Sequence, residues 1–565
     1  MPLPAVWMSA RAARSRLVAV VGWVVVVGGG GSAAAAEAIA LHYHPLELPG
    51  APAAIVPVDL DGDGVRDLAV AVAYTRWEEI GITETSEMDE VEGLVEVLTV
   101  VPALFDRREL WAFRGRSGGG WEAFGPPLPL GTEVLALLPG PPGMPLLALT
   151  DDGVSAVRLS GDANGPAVRL EPAIADPPVF AGSGTLIGEL DLVHDLDGDG
   201  RADLLLPADD GLAVYLAGAD GLAGAAAARV ALPADETERR ARLVRHYPLP
   251  KVEDVTGDGR PDLVTLDHRK GWKRFWVAAN RGGGLFAPAI ELSGGSAVAG
   301  ADGGGGAIRT VFFGDLDGDG LAEYARAEDL GEDEAGVRTE IREAKMPPFR
   351  WRLHRSGSAL AITPAPYQSF RAVGYAESGD DPDDGIRLPG GFRDLDGDGR
   401  RDLVTLTLDF SVLQAMRVLA TRSISIGLDF HVWCQRPDGG FAPVEGLDLS
   451  GKFRLRLDDL EIGRLPQLGG DFDGDGRADF VQLGRGRSVT VHLGRPGCRY
   501  PPRPDVTLRL AAEPRDLGLV RVTDLDGDGR SDLAIIEPRP ASDPGVTSAV
   551  RLDLYLSRVS GGGAQ

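Results

Sequence analysis

The sequence predicts an all-β chain folded as a single β-propeller of seven or eight four-stranded blades, and three observations predict it. An Asp- and Gly-rich decapeptide recurs seven times. Short apolar runs flank its copies, bounded by glycines and prolines that number 77 and 41 and are spread along the chain, the punctuation of strands and not of helices. The segment before the first copy reads as a strand that the last repeat lacks.

The copies are DLDGDGVRDL from Asp59, DLDGDGRADL from Asp195, DVTGDGRPDL from Asp254, DLDGDGLAEY from Asp315, DLDGDGRRDL from Asp394, DFDGDGRADF from Asp471 and DLDGDGRSDL from Asp524. The gap between Asp59 and Asp195 is about twice the others and hides an eighth unit, because MPLLALTDDGVSAVRL from Met144 aligns with ADLLLPADDGLAVYL from Ala202. That alignment puts Leu137, Pro139, Pro141 and Pro145 where the acids would stand, so this unit is expected to bind no metal.

Each unit repeats one grammar: an apolar run, the Asp-Gly loop, a β-rich run such as DLVTL, a turn, and an alternating strand such as RSVTVHLG. A fourth strand often opens on an aromatic-x-Pro signature, at Phe286-Ala287-Pro288, Phe441-Ala442-Pro443 and, loosely, Phe124-Gly125-Pro126. Four strands per unit at this period is the pattern of propeller blades. The last unit runs through Val522, Leu533–Ile536 and Val550–Leu556 and then stops. Residues Ile39 to Leu48 (IALHYHPLEL) are expected to pair with it, closing the ring and leaving no long exposed edge.

In the decapeptide the acids at positions 1, 3, 5 and 9 can converge because glycines at 4 and 6 allow a tight turn with positive φ. The carbonyl at position 7 adds an oxygen. Seven ligand sets follow. Asp59, Asp61, Asp63 and Asp67 go with Val65; Asp195, Asp197, Asp199 and Asp203 with Arg201; Asp254, Thr256, Asp258 and Asp262 with Arg260. Asp315, Asp317, Asp319 and Glu323 go with Leu321; Asp394, Asp396, Asp398 and Asp402 with Arg400; Asp471, Asp473, Asp475 and Asp479 with Arg477; Asp524, Asp526, Asp528 and Asp532 with Arg530.

Hard oxygen donors in that number, with room for water, suit Ca²⁺ better than Mg²⁺, and the absence of thiolate or imidazole argues against zinc. About seven calcium sites are expected, the weakest at Asp254–Asp262, where Thr256 replaces an acid. Without an ion, two carboxylates ~4 Å apart repel by about 4 kcal/mol at an effective dielectric of ~20. An EF-hand is rejected because position 12, which needs a bidentate Glu, holds Val70, Leu206, Thr265, Arg326, Thr405, Gln482 and Ile535.

On these loops the chain resembles the FG-GAP/VCBS repeat family of integrin α-subunit propellers and many secreted bacterial proteins, whose blades carry D-x-D-x-D-G-x-x-D. The likeness spans residues 39–557. It implies a seven- or eight-bladed propeller, calcium loops between the first and second strands of the blades, and a role in adhesion or ligand recognition. The chain departs from the integrin pattern in lacking clear FG and GAP tripeptides and any leg or inserted domain. No integrin-like partner is implied.

The formal charge of -27 repels phosphate backbones and anionic lipid surfaces, which argues against nucleic-acid binding. Arg11, Arg14 and Arg16 precede the apolar run Leu17–Val27, followed by the small residues Ser32–Ala36. This reads as an export signal cleaved after Ala36, although an uncleaved anchor extended through the glycines is the other reading. The expected layout is a signal over 1–36, a propeller over 37–558 and a short flexible tail over 559–565. The mature chain would be a monomer without a transmembrane domain, extracellular, on the cell surface or periplasmic. Cys434 and Cys498 are the two cysteines; in an oxidising compartment they can pair, and two separate buried thiols are equally compatible.

The longer units gain length at Trp77–Arg108, Glu328–Lys345, Ser369–Gly391 and Thr407–Leu428, all assigned to connections on the face opposite the Asp loops. Long loops on a rigid scaffold commonly carry recognition. Tyr74, Trp77, Tyr367, Phe370 and Tyr375 could stack on a sugar or anchor a protein there, against the blander reading as core or blade-edge aromatics. No nucleophile elbow, zincin helix or phosphate loop is present, and no catalytic residue is nominated. The functional expectation is a non-catalytic binding or adhesion module for carbohydrate or a surface protein. A calcium-dependent polysaccharide-active, lyase-like enzyme and a purely structural surface protein stay open as alternatives.

Overall fold

The computed structural model describes residues 38–560 apart from 75–106, 142–143, 163–164, 179–187, 220, 233–234, 240–241, 247–248, 268–273, 293–307, 331–347, 358, 375, 377–390, 410–422, 445–448, 457–466, 484–486, 512–519 and 539–549. Residues 1–36, and with them the expected signal, lie outside the described residues. Among the described residues there is no helix, and none is long and apolar enough to cross a membrane.

Eight sheets of at least four strands follow one another along the chain. Blade 1 pairs Ala51–Val58, Asp67–Tyr74, Arg107–Gly115 and Trp121–Ala123 in order, each antiparallel to the next. Blade 2, the unit without the Asp-Gly decapeptide, is a full blade on Val134–Leu138, Leu147–Thr150, Gly153–Asp162 and Gly165–Ile174. Blades 3 to 7 open on Val193–His194, Lys251–Glu253, Ile308–Gly314, Gly391–Arg393 and Gln467–Leu468. Blade 8 is Val520–Thr523, Asp532–Pro538 and Val550–Ser560, completed by Ala38–Leu48 from the other end of the chain. The count is therefore eight.

A blade in the ring is covered on both faces, so its second strand need not alternate. All eight residues of Asp67–Tyr74 are buried, the pattern of a strand packed on both sides. The apolar contacts run between neighbouring blades. Val56 and Leu110 of blade 1 pack with Leu137 and Val157 of blade 2, and Leu149 with Leu205 of blade 3. Val277 meets Phe313 across blades 4 and 5, Trp351 meets Leu403 across 5 and 6, and Val404 meets Phe480 across 6 and 7.

The closing strand shows how two-sided packing is encoded. Ile39 and Leu41 face Val489 and Val491 of blade 7, while Leu46 and Leu48, on the opposite parity, face Leu68 and Val70 of blade 1. Its register against the last strand is unbroken from Ala38↔Ser560 to Leu48↔Val550. The ladder thus takes in Val559 and Ser560, two residues that the sequence assigned to a tail. Tyr43 Oη donates to Asp553 Oδ1 at 2.8 Å, and Arg551 holds the same carboxylate through Nε at 2.6 Å and Nη2 at 2.8 Å.

Three further sequence expectations need correction. Phe124-Gly125-Pro126 does not open a fourth strand: it is the bend between Trp121–Ala123 and Leu128–Leu130, which both pair with Arg107–Gly115. Phe286 makes an isolated bridge to Asn280, and the fourth strand of blade 4 is only Ile290–Glu291. The insertion at Thr407–Leu428 is strand at both ends, since Asp402–Asp409 and Ser423–Gln435 pair as far as Asp409↔Gly427, and Leu449–Arg456 adds a further strand. Long paired strands satisfy their backbone groups mutually, which an open loop cannot do away from water. Phe441–Pro443, by contrast, is a fourth strand as expected.

Cys434, near the end of the third strand of blade 6, is bonded to Cys498 of blade 7, with their Cα atoms 5.8 Å apart.

Candidate metal-binding loops

Each Asp-Gly loop joins the first and second strands of its blade, and its fold follows from short side-chain to backbone bonds. Asp59 accepts Gly62 N on Oδ1 at 2.7 Å and Gly64 N on Oδ2 at 2.9 Å. Both glycines have positive φ, +78° and +83°, which a residue with a Cβ adopts only at a cost. The acid at position 1 makes the same pair of bonds in the other six loops.

The acid at position 9 begins the second strand in six loops, immediately precedes it at Asp479, and is buried in all seven. Asp67 accepts Leu60 N at 2.9 Å and Gly115 N at 2.7 Å, tying the loop to the end of the third strand. Asp203, Asp262, Asp402, Asp479 and Asp532 do likewise, and Glu323 accepts Leu316 N at 2.9 Å. This residue is as much a backbone staple as a ligand candidate.

Acid oxygens lie within 4.8 Å of one another for positions 1, 3 and 9 in the sets Asp59–Asp61–Asp67, Asp315–Asp317–Glu323 and Asp394–Asp396–Asp402, and for positions 1, 3 and 5 in Asp195–Asp197–Asp199. Position 5 is engaged by a guanidinium. Arg201, Arg260, Arg400, Arg477 and Arg530, at position 7, pair with Asp199, Asp258, Asp398, Asp475 and Asp528. Where position 7 is Val65 or Leu321, an arginine from the end of the third strand substitutes. Arg114 lies 2.7 Å from Asp61 and 3.2 Å from Asp63, and Arg355 lies 3.3 Å from Asp317 and 3.7 Å from Asp319. In blade 8, Arg558 adds a contact to Asp526 and one to Asp528.

These arginines escaped the sequence reading, which took position 7 for its carbonyl alone. The signal was there in five arginines at one position of seven loops. In the loop at Asp254, Thr256 takes position 3 and its amide lies 3.2 Å from Asp254 Oδ1.

Position 3 carries an unmet demand. The Oδ1 atoms of Asp396, Asp473 and Asp526, equivalent in blades 6, 7 and 8, are buried without a hydrogen-bond partner. A buried anionic oxygen left so costs free energy unless a cation or a proton meets it. Burial raises the proton affinity of several of the loop acids. Burial, followed by repulsion from Asp475 and Asp471, pushes Asp473 up to about 6. Burial likewise pushes Asp402, Asp479 and Asp532 up to about 7 and Glu323 up to about 8, each against two backbone donors or one that favour the charged form.

A pH prediction follows. The unfolded chain releases these protons near pH 4, whereas the ion-free folded chain keeps them to about pH 7 or 8. Between those limits the folded state binds more protons, so its stability falls as pH rises. Metal-stripped protein is expected to melt lower at pH 8 than at pH 5.5. A melting temperature that rises over that interval in metal-free buffer would contradict the assignment.

The opposite face fits recognition less directly. The interiors of the insertions at Trp77–Arg108, Glu328–Lys345 and Ser369–Gly391, including Trp77 and Tyr375, lie outside the described residues. The described aromatics belong to the blades. Tyr74 is buried and donates to Glu109 at 2.5 Å, with Arg107 over its ring. Phe370 packs on Trp433 and Phe441 with centroids 5.1 and 5.8 Å away. Tyr367 has a buried hydroxyl and Arg355 over its ring. None of these three forms a stacking platform.

The profile of the FG-GAP-like repeat family matches residues 254–325, from the loop of blade 4 into the second strand of blade 5. A search of curated proteins found no match. Among solved structures, a structural-genomics target from Lactobacillus plantarum is similar at 11% identity, covering 73% of this chain and 94% of that chain with a TM-score of 0.23.

Proposed function

We propose that this FG-GAP-type propeller is an exported, calcium-stapled scaffold acting as a non-catalytic binding or adhesion module for a carbohydrate or a surface protein. The observation that carries the calcium part is the orphaned, buried Oδ1 at position 3 of three successive blades, beside acids at positions 1 and 9. A hard cation with flexible oxygen coordination meets that demand, and carboxylate oxygens already holding an N–H retain a second lone pair for it. The arginines paired with position 5 would then orient carboxylates around the ion.

The binding part is supported by the division of the ring into two faces. The Asp loops and their ties occupy one, whereas the long insertions join second to third strands, or one blade to the next, on the other. A rigid ring that presents variable loops is the usual setting for recognition.

The test is retention of the mature protein on a panel of insoluble polysaccharides, with calcium and with chelator, with the supernatant assayed for released oligosaccharide. Calcium-dependent retention without release is the expected result. Retention with release would replace the module by an enzyme, and absence of retention on every polymer would leave a protein partner or a structural role.

A further inference from the structure

The Asp loops of consecutive blades touch. In blades 5, 6 and 7 the amide at position 8 of one loop donates to the position 2 carbonyl of the loop before it: Ala322 N to Val255 O at 3.4 Å, Arg401 N to Leu316 O at 2.8 Å and Ala478 N to Leu395 O at 3.0 Å. In blade 8, Ser531 N donates to Asp471 O at 2.6 Å and Ser531 Oγ accepts Asp471 N at 2.8 Å. Across the seam where the ring closes, Arg66 Nη1 donates to Asp524 O at 2.8 Å.

The position 4 glycines mark the same contacts. A Cβ on Gly257 would lie 2.9 Å from Gly320 O, one on Gly318 2.8 Å from Gly399 O, and one on Gly397 2.7 Å from Gly476 O. Gly62 and Gly198 are the exceptions, with nothing within 4 Å of the same position; the blade after Gly62 has no acidic loop, and the loop after Gly198 is reached by another route. The loop at Asp195 joins the others through a side chain, Asn280, whose Nδ2 donates to Leu196 O at 2.7 Å while its amide donates to Asp262 at 2.7 Å.

We infer that the six loops running from Asp254 round to Asp59 bind calcium as a positively cooperative array that ends at blade 2, which lacks the decapeptide. This rests on the calcium reading above. An ion drawing together positions 1, 3 and 9 fixes residues 1 and 2, and the acceptor for the next loop is the carbonyl of residue 2 in three of these contacts and of residue 1 in the last two. The donor there is residue 8, adjacent to that loop's own position 9 ligand. Ordering one loop thus removes part of the entropy loss of ordering its neighbour, and that is a coupling free energy between sites.

The test uses full-length mature protein stripped of metal, titrated with calcium by calorimetry, with bound calcium counted by equilibrium dialysis and elemental analysis. The expected wild-type titration has a Hill coefficient of about 2 or more. Gly397→Ala and Gly62→Ala impose similar strain, at φ +72° and +78°, but only Gly397 faces a neighbouring loop. Gly397→Ala is expected to lose its own ion and weaken the site at Asp471 as well, whereas Gly62→Ala loses one ion at most. Should Gly397→Ala fail to fold, Arg66→Gln severs the seam from the surface and is expected to lower the Hill coefficient with the ion count unchanged. A Hill coefficient of 1 in wild type, or equal ion losses in the two glycine variants, would overturn the coupling while leaving the calcium sites standing. A wild-type protein that binds no calcium at millimolar concentration overturns both.

Discussion

Excess chelator is expected to lower the melting temperature of the mature protein by roughly 15–20 °C. Each ion held at about 100 times its dissociation constant contributes ~2.7 kcal/mol, and seven such sites contribute roughly 19 kcal/mol. An unfolding entropy of about 2.1 cal/mol/K per residue, over a ring of some 500 residues, converts this to roughly 15–20 °C. The loops are the first connections of seven blades, and six of them are tied by the position 9 acid to the end of the third strand, so destabilising them loosens the blades they begin. Calorimetry with calcium, with magnesium at the same concentration, and with chelator separates an ion-specific effect from ionic strength. A melt that does not move on chelation would remove calcium from the account of this fold.

Deleting residues 38–48 is expected to prevent the ring from closing and to leave an aggregating, partly folded chain. The strand buries Ile39, Leu41, Leu46 and Leu48. At about 1.5–3 kcal/mol for each large aliphatic side chain, these four alone approach the 5–15 kcal/mol typical of whole-protein stability. Its loss also bares the last strand over Val550–Ser560, and an exposed edge of that length is a template for pairing between molecules. Size-exclusion chromatography and circular dichroism on the deletion variant, with and without a peptide of residues 37–50 added in trans, test this. A monomeric deletion variant melting within a few degrees of the parent would show that the closing strand is dispensable.

Much of the fold was legible because the repeat is local. Seven near-identical loops set the number of acidic blades, and the doubled gap before Asp195 disclosed the eighth. The turn at Asp151-Asp152-Gly153 identified that blade without the decapeptide: Gly153 and Gly211, aligned by sequence, have φ +149° and +141°, and a Cβ on either would run into the carbonyl of Ile174 or Val230. Where the signal was absent from the local sequence, the cause was a partner distant in the chain. Arg114 and Arg355 come to their aspartates from the end of a third strand. The extended ribbon at Ser423–Gln435 is strand because Leu449–Arg456 is there to pair with it.

By itself, then, the sequence determined the all-β class, the blade repeat and the closing strand, since each depends on residue spacing within one unit or on a strand that pairs the two ends of the ring. Only the tertiary structure decided that eight blades close the ring, that Cys434 meets Cys498, and that successive Asp loops touch. Those facts depend on how one blade lies against the next, and packing between blades is set by side-chain volume and backbone approach across the whole ring, which no local spacing records.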